Sequence, residues 1–409
     1  MKTRIFNAMT LIAAFCLCFA SCEKQTQSQS QEDDTTVFTA SIKNVRTTVT
    51  IDGNVGKVAW EQGDAITITD AAGNSAVYEA VEDGSSVEFA LAEGETAVGA
   101  GPYKAFYNSE SPALDQTYFA ESVPSITMSA ESSTTSLSFS VTSGLLKLTL
   151  SKMDNIKNVM VKGDDTKLYT LTCSSDVDVT SSKDFWIALP AGTYKKIYLT
   201  NSEGKTCLVT YKDESGLVIA ANSIQPVELS EIAAEKFDGV WLGTKAASGY
   251  PLLWAEKNVG ASTPQEAGYF LSWGNTETSL KNHEDTYPNT IGNTITSDIA
   301  PDSGNDAARV LLGGVWRLPT EEECNAFIKL NITAVEGGWN VAGNGNSIFM
   351  PAAGFIKNNK SNGSGYGYYW SGSWGGATQA KAIQLRPDGA HKVYGGTRHY
   401  GFCIRAVKE

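Results

Sequence analysis

The sequence predicts a mostly β protein, with an antiparallel β-sandwich region followed toward the C-terminus by an α+β module. Three observations carry this. Thirty-eight Gly, abundant Ser and Thr, and only 19% charged residues favour strands and turns over helical bundles. From Val37 onward, short runs alternate apolar and polar residues at period two, at spacings of about ten residues between Gly-containing turns. One stretch, Asp306 to Cys324, carries both start and stop signals for helices.

At 409 residues the chain is long enough for two or three domains, each with its own core. A net charge of −13 argues against nucleic acid or an anionic membrane surface as partner. His283, His391 and His399 fall in Gly-, Asn- and Tyr-rich loops without metal-ligand spacing, so no metal or cofactor is expected. No Ser-His-Asp order or pair of catalytic carboxylates stands out, and no Gly-rich strand-to-helix turn is present. The expectation is therefore a protein that is not an enzyme and has no nucleotide fold.

The chain opens with a basic segment (Lys2, Arg4) and an apolar run from Ala8 to Ala20, too short for a comfortable transmembrane helix. It ends Phe19-Ala20-Ser21-Cys22, followed by polar residues, and resembles the bacterial lipoprotein cleavage box. The resemblance implies a signal peptide over 1–21, a lipid on Cys22, and an outer-membrane anchor at the cell surface. Residues 22–36 are rich in Gln, Ser, Asp and Thr and read as a flexible tether. Within it, Asp34-Thr35-Thr36 resembles the short O-glycosylation acceptor of Bacteroidales-type secreted proteins.

Strands are then expected at Val37–Lys43, Thr47–Asp52, Ala65–Thr69, Ala76–Ala80 and Ser86–Leu91. Trp60 reads as a core anchor. Four segments recur in order: Trp60-Glu-Gln-Gly63-Asp64-Ala-Ile66, Tyr103-Lys-Ala-Phe-Tyr107, Gly144-Leu-Leu-Lys-Leu148 and Leu189-Pro190-Ala-Gly192-Thr-Tyr194. The set resembles the fimbrillin-like proteins of Bacteroidales pili. That resemblance implies two transthyretin-like β-sandwiches, 37–142 and 143–236, the second built on Leu145–Leu150, Asn158–Val161, Lys167–Leu171, Ile197–Thr200, Thr206–Tyr211 and Ile224–Leu229. It also implies cleavage by an Arg-specific protease between Arg46 and Thr47. Loss of the first strand would open an apolar groove, and another pilin subunit would fill it by β-strand addition.

In the C-terminal module, Gly313-Gly314 stops a first short helix, Trp316-Arg317-Leu318 is extended, and Pro319-Thr320 launches a second helix. Thr320 is its N-cap, with Glu323 at capping-box spacing and Cys324, Phe327, Ile328 and Leu330 as the buried stripe. Pro351-Ala-Ala-Gly354, Gly367-Tyr-Tyr-Trp-Ser371 and Gly401-Phe-Cys-Ile-Arg-Ala-Val407 follow. Together with Trp316–Glu321 they resemble the bacterial C-type-lectin-like domain of the sulfatase-modifying-factor and major-paralogous-domain kind, over residues 237–409.

Four cysteines remain beyond Cys22, and four allow three pairings. The pairs expected are Cys173–Cys207, on strands of the second sandwich, and Cys324–Cys403, on two elements that the lectin-like fold often bridges. The formylglycine-generating relatives of that fold use a reactive Cys pair, whereas here only Cys403 lies near the matching segment. Arg386-Pro387-Asp388-Gly389 is the nearest match to a calcium-lectin tripeptide and reads more simply as a β-turn. Ligand contacts are expected from Tyr366, Trp374 and Tyr394, with Asp388 and Arg398 beside them. The resemblances imply a pilus subunit, at or near the tip, that binds a host or microbial glycan or protein. The alternative is a monomeric outer-membrane lipoprotein that captures such ligands.

Overall fold

Period-two alternation builds nearly everything here, and the protein is mostly β. The computed structural model describes residues 37–42, 50–52, 55–57, 59–120, 123–124, 126–164, 167–210, 215–278 and 294–409. Cys22, the Asp34–Thr36 stretch, Arg46, Thr47 and His283 lie outside the described residues.

Ten strands come first: β1 (Phe38–Ile42), β2 (Thr50–Asp52), β3 (Val55–Lys57), β4 (Ala65–Thr69), β5 (Ser75–Ala80), β6 (Ser86–Leu91), β7 (Tyr103–Tyr107), β8 (Asp115–Tyr118), β9 (Met128–Ser132) and β10 (Ser136–Val141). Among the described residues, β2 and β3 pair only with each other. The path β1-β10-β9-β7-β4-β5-β6 returns to β1 and closes a barrel. β1 has a partner on both sides, running parallel to β10 and antiparallel to β6, so neither edge stays free. Trp60 is the core anchor, 1% exposed, with Phe89, Tyr107 and Phe139 edge-on at 5.0, 5.4 and 5.3 Å.

The chain crosses directly from β10 into β11 (Ser143–Ser151) and continues through β12 (Ile156–Gly163), β13 (Leu168–Val177), β14 (Lys183–Pro190), β15 (Gly192–Asn201), β16 (Lys205–Thr210), β17 (Leu217–Ile219) and β18 (Ile224–Ser230). β14-β11-β18 form one sheet, and a second runs β16-β15-β12-β13-β8 with β17 beside β15. Leu146, Leu148, Val159, Leu171, Phe185 and Leu199 are among the apolar side chains of the core they share. Gly144 is required at its position. A Cβ there would overlap the carbonyl oxygen of Ala220 and lie 2.6 Å from Cγ2 of Ile219.

The last part holds β19 (Gly239–Lys245), β20 (Pro251–Ala255), helices α1 (Ala307–Leu312) and α2 (Glu321–Phe327), β21 (Asn331–Val335), β22 (Gly338–Gly343), β23 (Asn346–Pro351), β24 (Phe355–Lys357), β25 (Lys360–Asn362), β26 (Gly367–Trp374), β27 (Gln379–Leu385), β28 (Lys392–Thr397) and β29 (Val407–Lys408). Gly313 ends α1 and Thr320 opens α2 as the sequence predicts, but α2 stops at Phe327, so Ile328 and Leu330 of the expected buried stripe lie past its last residue and are only half-buried. Asp306 caps α1 through Ala308 and Arg309, and the capping box of Thr320 and Glu323 is complete. Glu323 also anchors Arg317, since its carboxylate takes both terminal nitrogens of that guanidinium, at 2.8 and 2.6 Å.

The large sheet does not stop at residue 236. β16 pairs with β19 through Lys205↔Val240 and Thr206↔Gly239, and the ladder continues through β20 to β29. Met160, Tyr198 and Leu253 pack together across this seam. Backbone pairing therefore joins the C-terminal module to the second core.

The expected disulfides are corrected: Cys173, Cys207, Cys324 and Cys403 are all free and buried. For the first pair the reason is register. β12 and β15 intervene between β13 and β16, three strand spacings or about 14 Å, whereas a disulfide needs Cα atoms within about 7 Å. Cys324 and Cys403 share one apolar cluster as unbridged thiols, where each packs as a small hydrophobe.

Candidate functional site

The residues expected to meet a ligand fall into two separate sets. Tyr366 and Tyr394 flank Tyr368, with ring centroids 6.1 Å from it in both cases. Trp374 closes the far end of β26, six residues beyond Tyr368 or about 20 Å along a strand. Trp374 is 40% exposed, while Tyr366 and Tyr394 are half-buried.

Asp388 belongs to the Tyr366 set through Arg386, whose guanidinium lies 5.9 Å from the Tyr366 ring. The stretch Arg386–Gly389 is the β-turn expected, closed by the Gly389 N–H on the Arg386 carbonyl at 3.1 Å. Arg386 holds both Asp388 oxygens, at 3.0 and 2.6 Å, and the Ala390 N–H adds a bond at 3.0 Å. These bonds, that of Arg386 above all, keep the carboxyl well below the usual range, so Asp388 is ionised and engaged within its own turn.

Arg398 departs from expectation. It is 2% exposed, and its guanidinium gives hydrogen bonds to the carbonyls of Gln379, Ile295 and Gly376 and lies 4.7 Å from the Trp273 ring. Arg405 is buried in the same way, 1% exposed. It bonds Asn258 Oδ1 at 2.9 Å and the carbonyls of Ala255, Glu256 and Phe349 at 3.1, 2.8 and 2.9 Å. Both arginines sit inside because backbone carbonyls replace their water. Burial lowers the Arg405 pKa to about 10, which still leaves it charged at neutral pH. Burial also pushes the neighbouring Cys403 thiol up to about 12, so it is no thiolate.

The surface around Tyr366 includes residues the sequence reading missed. Phe355 stacks on Tyr400 at 5.3 Å, Lys357 lies 5.2 Å from the Tyr400 ring, and Lys392 lies 5.9 Å from that of Tyr394. The available signal was Asn358-Asn359, both left-handed (φ +50° and +58°), which turn the β24–β25 hairpin and lay Phe355 and Lys357 on one side. The result is a half-buried aromatic surface edged by cations, of a kind that can stack on a sugar or an apolar side chain. A cleft of about 350 Å³ lies elsewhere, at the seam, lined by Lys205, Phe237, Asp238, Glu256, Asn258 and Trp316. Its charges serve one another: Lys205 meets Glu203 and Glu256 at 3.1 and 3.3 Å, and Asp238 takes Trp316 Nε1 at 3.2 Å and Lys408.

The second candidate site is the seat of β1. Phe38 and Ala40 are both 0% exposed. Phe38 meets Tyr78 and Tyr103 edge-on, each at 4.9 Å, while Ala40 lies between Val87 of β6 and Leu137 of β10. Thr39 faces outward. β1 is a barrel stave whose continuation, 43–49, holds Arg46 and Thr47 outside the described residues.

No protein-family model and no curated protein matches this sequence. Among solved structures, a candidate cell adhesion protein from Bacteroides uniformis is 16% identical, covers 49% of this chain and 95% of its own, and has a TM-score of 0.27. The tip fimbrial protein Mfa3 from Porphyromonas gingivalis, with C-terminal truncation, is 8% identical over 48% of this chain and 96% of its own, at a TM-score of 0.21. A fimbrial protein from Bacteroides ovatus is 10% identical over 90% of this chain and 98% of its own, at 0.22. These are distant likenesses, and at such scores they carry no conclusion about what the chain does.

Proposed function

We propose that the chain is a fimbrial subunit of a bacterial cell surface, at or near the pilus tip. In this reading Cys22 carries a lipid anchor before processing. Cleavage between Arg46 and Thr47 then frees β1, and a strand of another subunit takes its place. Residues 237–409 bind a host or microbial glycan or protein, and the chain catalyses nothing.

One observation carries the reading. β1 is held by neighbours on both sides, buries Phe38 and Ala40 completely, and is joined to the rest of the chain through the segment that contains Arg46. A strand so placed leaves, when cut, a slot with unpaired backbone groups along two edges and apolar pockets between them. An end position suits a subunit with a bulky C-terminal module better than a place in a repeating shaft.

The test is the mature N-terminus, read by mass spectrometry in monomeric and high-molecular-weight surface fractions. A start at Thr47 in an SDS-resistant assembly supports strand exchange. A lipidated Cys22 start, found only in monomer, sinks it in favour of a capture lipoprotein. Immunogold label spread evenly along filaments would contradict the tip position.

A further inference from the structure

We infer that the slot of β1 reads its incoming strand by a size code: a large aromatic residue, then two positions later a small one, with polar residues tolerated between and after them. This rests on the strand-exchange reading above and names the partner that reading leaves open, a short extended segment of another subunit. The template is β1 itself. Phe38 fills a pocket walled by the rings of Tyr78 and Tyr103, both 4.9 Å away, and lies opposite Phe89. Two residues on, the wall closes in. Ala40 is fully buried with Val87 and Leu137 directly opposite on either side, which leaves a methyl group the place that a ring would need. Thr39, between them, is exposed, and Ser41 is only partly covered.

The backbone side of the slot is paired as well, since the Thr135 carbonyl accepts from the Thr39 N–H at 3.0 Å.

The experiment uses the full chain with a thrombin site placed in the 43–49 connection, so that the cut does not depend on Arg46. After cleavage, three fluorescent peptides compete for the slot: the native Val37–Lys43 sequence, the same peptide with Phe38→Ala, and a composition-matched swap carrying Phe38→Ala together with Ala40→Phe. The expected result is that the native peptide enters, seen as raised anisotropy and release of the original N-terminal fragment. The Phe38→Ala peptide should then bind at least about 100-fold more weakly, and the swap no better than the Phe38→Ala peptide. Equal binding of the native and swapped peptides would overturn the size code while leaving strand exchange intact. If no peptide enters the cut protein, the strand-exchange reading falls and the code with it.

Discussion

Replacing Arg405 by methionine removes the donor that ties four acceptors together inside the C-terminal module. The side chain is 1% exposed and gives hydrogen bonds to Asn258 and to the carbonyls of Ala255, Glu256 and Phe349. Each buried acceptor left without a donor costs about 1–3 kcal/mol. Against this, methionine no longer carries the cost of burying a charge. The fall of the Arg405 pKa from 12.5 to about 10 puts that cost at about 3 kcal/mol. With partial relaxation of the acceptors, the net loss expected is about 3–5 kcal/mol. Urea unfolding followed through the buried Trp254, Trp339 and Trp370 should register it, together with a fall in Tm of about 10 °C. Arg405→Lys should lose most of the same stability, because an ammonium on a flexible stem cannot reproduce the planar fork. A methionine variant within about 1 kcal/mol of the parent would refute this account of the buried guanidinium.

Three further outcomes follow from the same reasoning. The thiols at 173, 207, 324 and 403 should be silent to a thiol reagent in the native protein and all react after unfolding, and reductant should not move Tm; burial holds Cys173 at about 12 and Cys207 at about 11. Asp70 is held at about 2 by the Asn74 side chain and the Gly99 N–H. A depressed carboxyl contributes stability that is present above its unfolded pKa near 3.8 and is lost as pH falls through about 2, so Tm should drop across that window, and less so in Asp70→Asn. Gly144→Ala should destabilise by about 1–3 kcal/mol in chemical unfolding, because its Cβ meets the backbone of Ala220 as well as the side chain of Ile219, and the backbone cannot swing aside.

Local patterns carried the sequence reading a long way. The expected Ala65–Thr69 and Ser86–Leu91 strands fall at β4 and β6, and Thr320 with Glu323 makes the capping box their spacing implies. These depend on chain neighbours within a few residues, where period, caps and turn chemistry decide the outcome. The candidate ligand residues were less legible. Tyr366 and Tyr394 belong to one surface, but nothing near Arg398 in sequence announces that carbonyls from residues 295, 376 and 379 converge on it. Nor does the spacing of Cys173 and Cys207 reveal that two strands separate them.

The sequence by itself determined the β-rich class, the positions of several strands, the stop of α1 and the start of α2, and the apolar alternation that marks Phe38 and Ala40 for burial. Only the tertiary structure decided that β1 closes a barrel, that the sheet of the second core runs on into the C-terminal module, and that both C-terminal arginines lie inside. The reason is physical. Alternation tells a residue which face to take, but strand partners and buried acceptors come from distant segments, and which of them meet is settled by packing the whole chain.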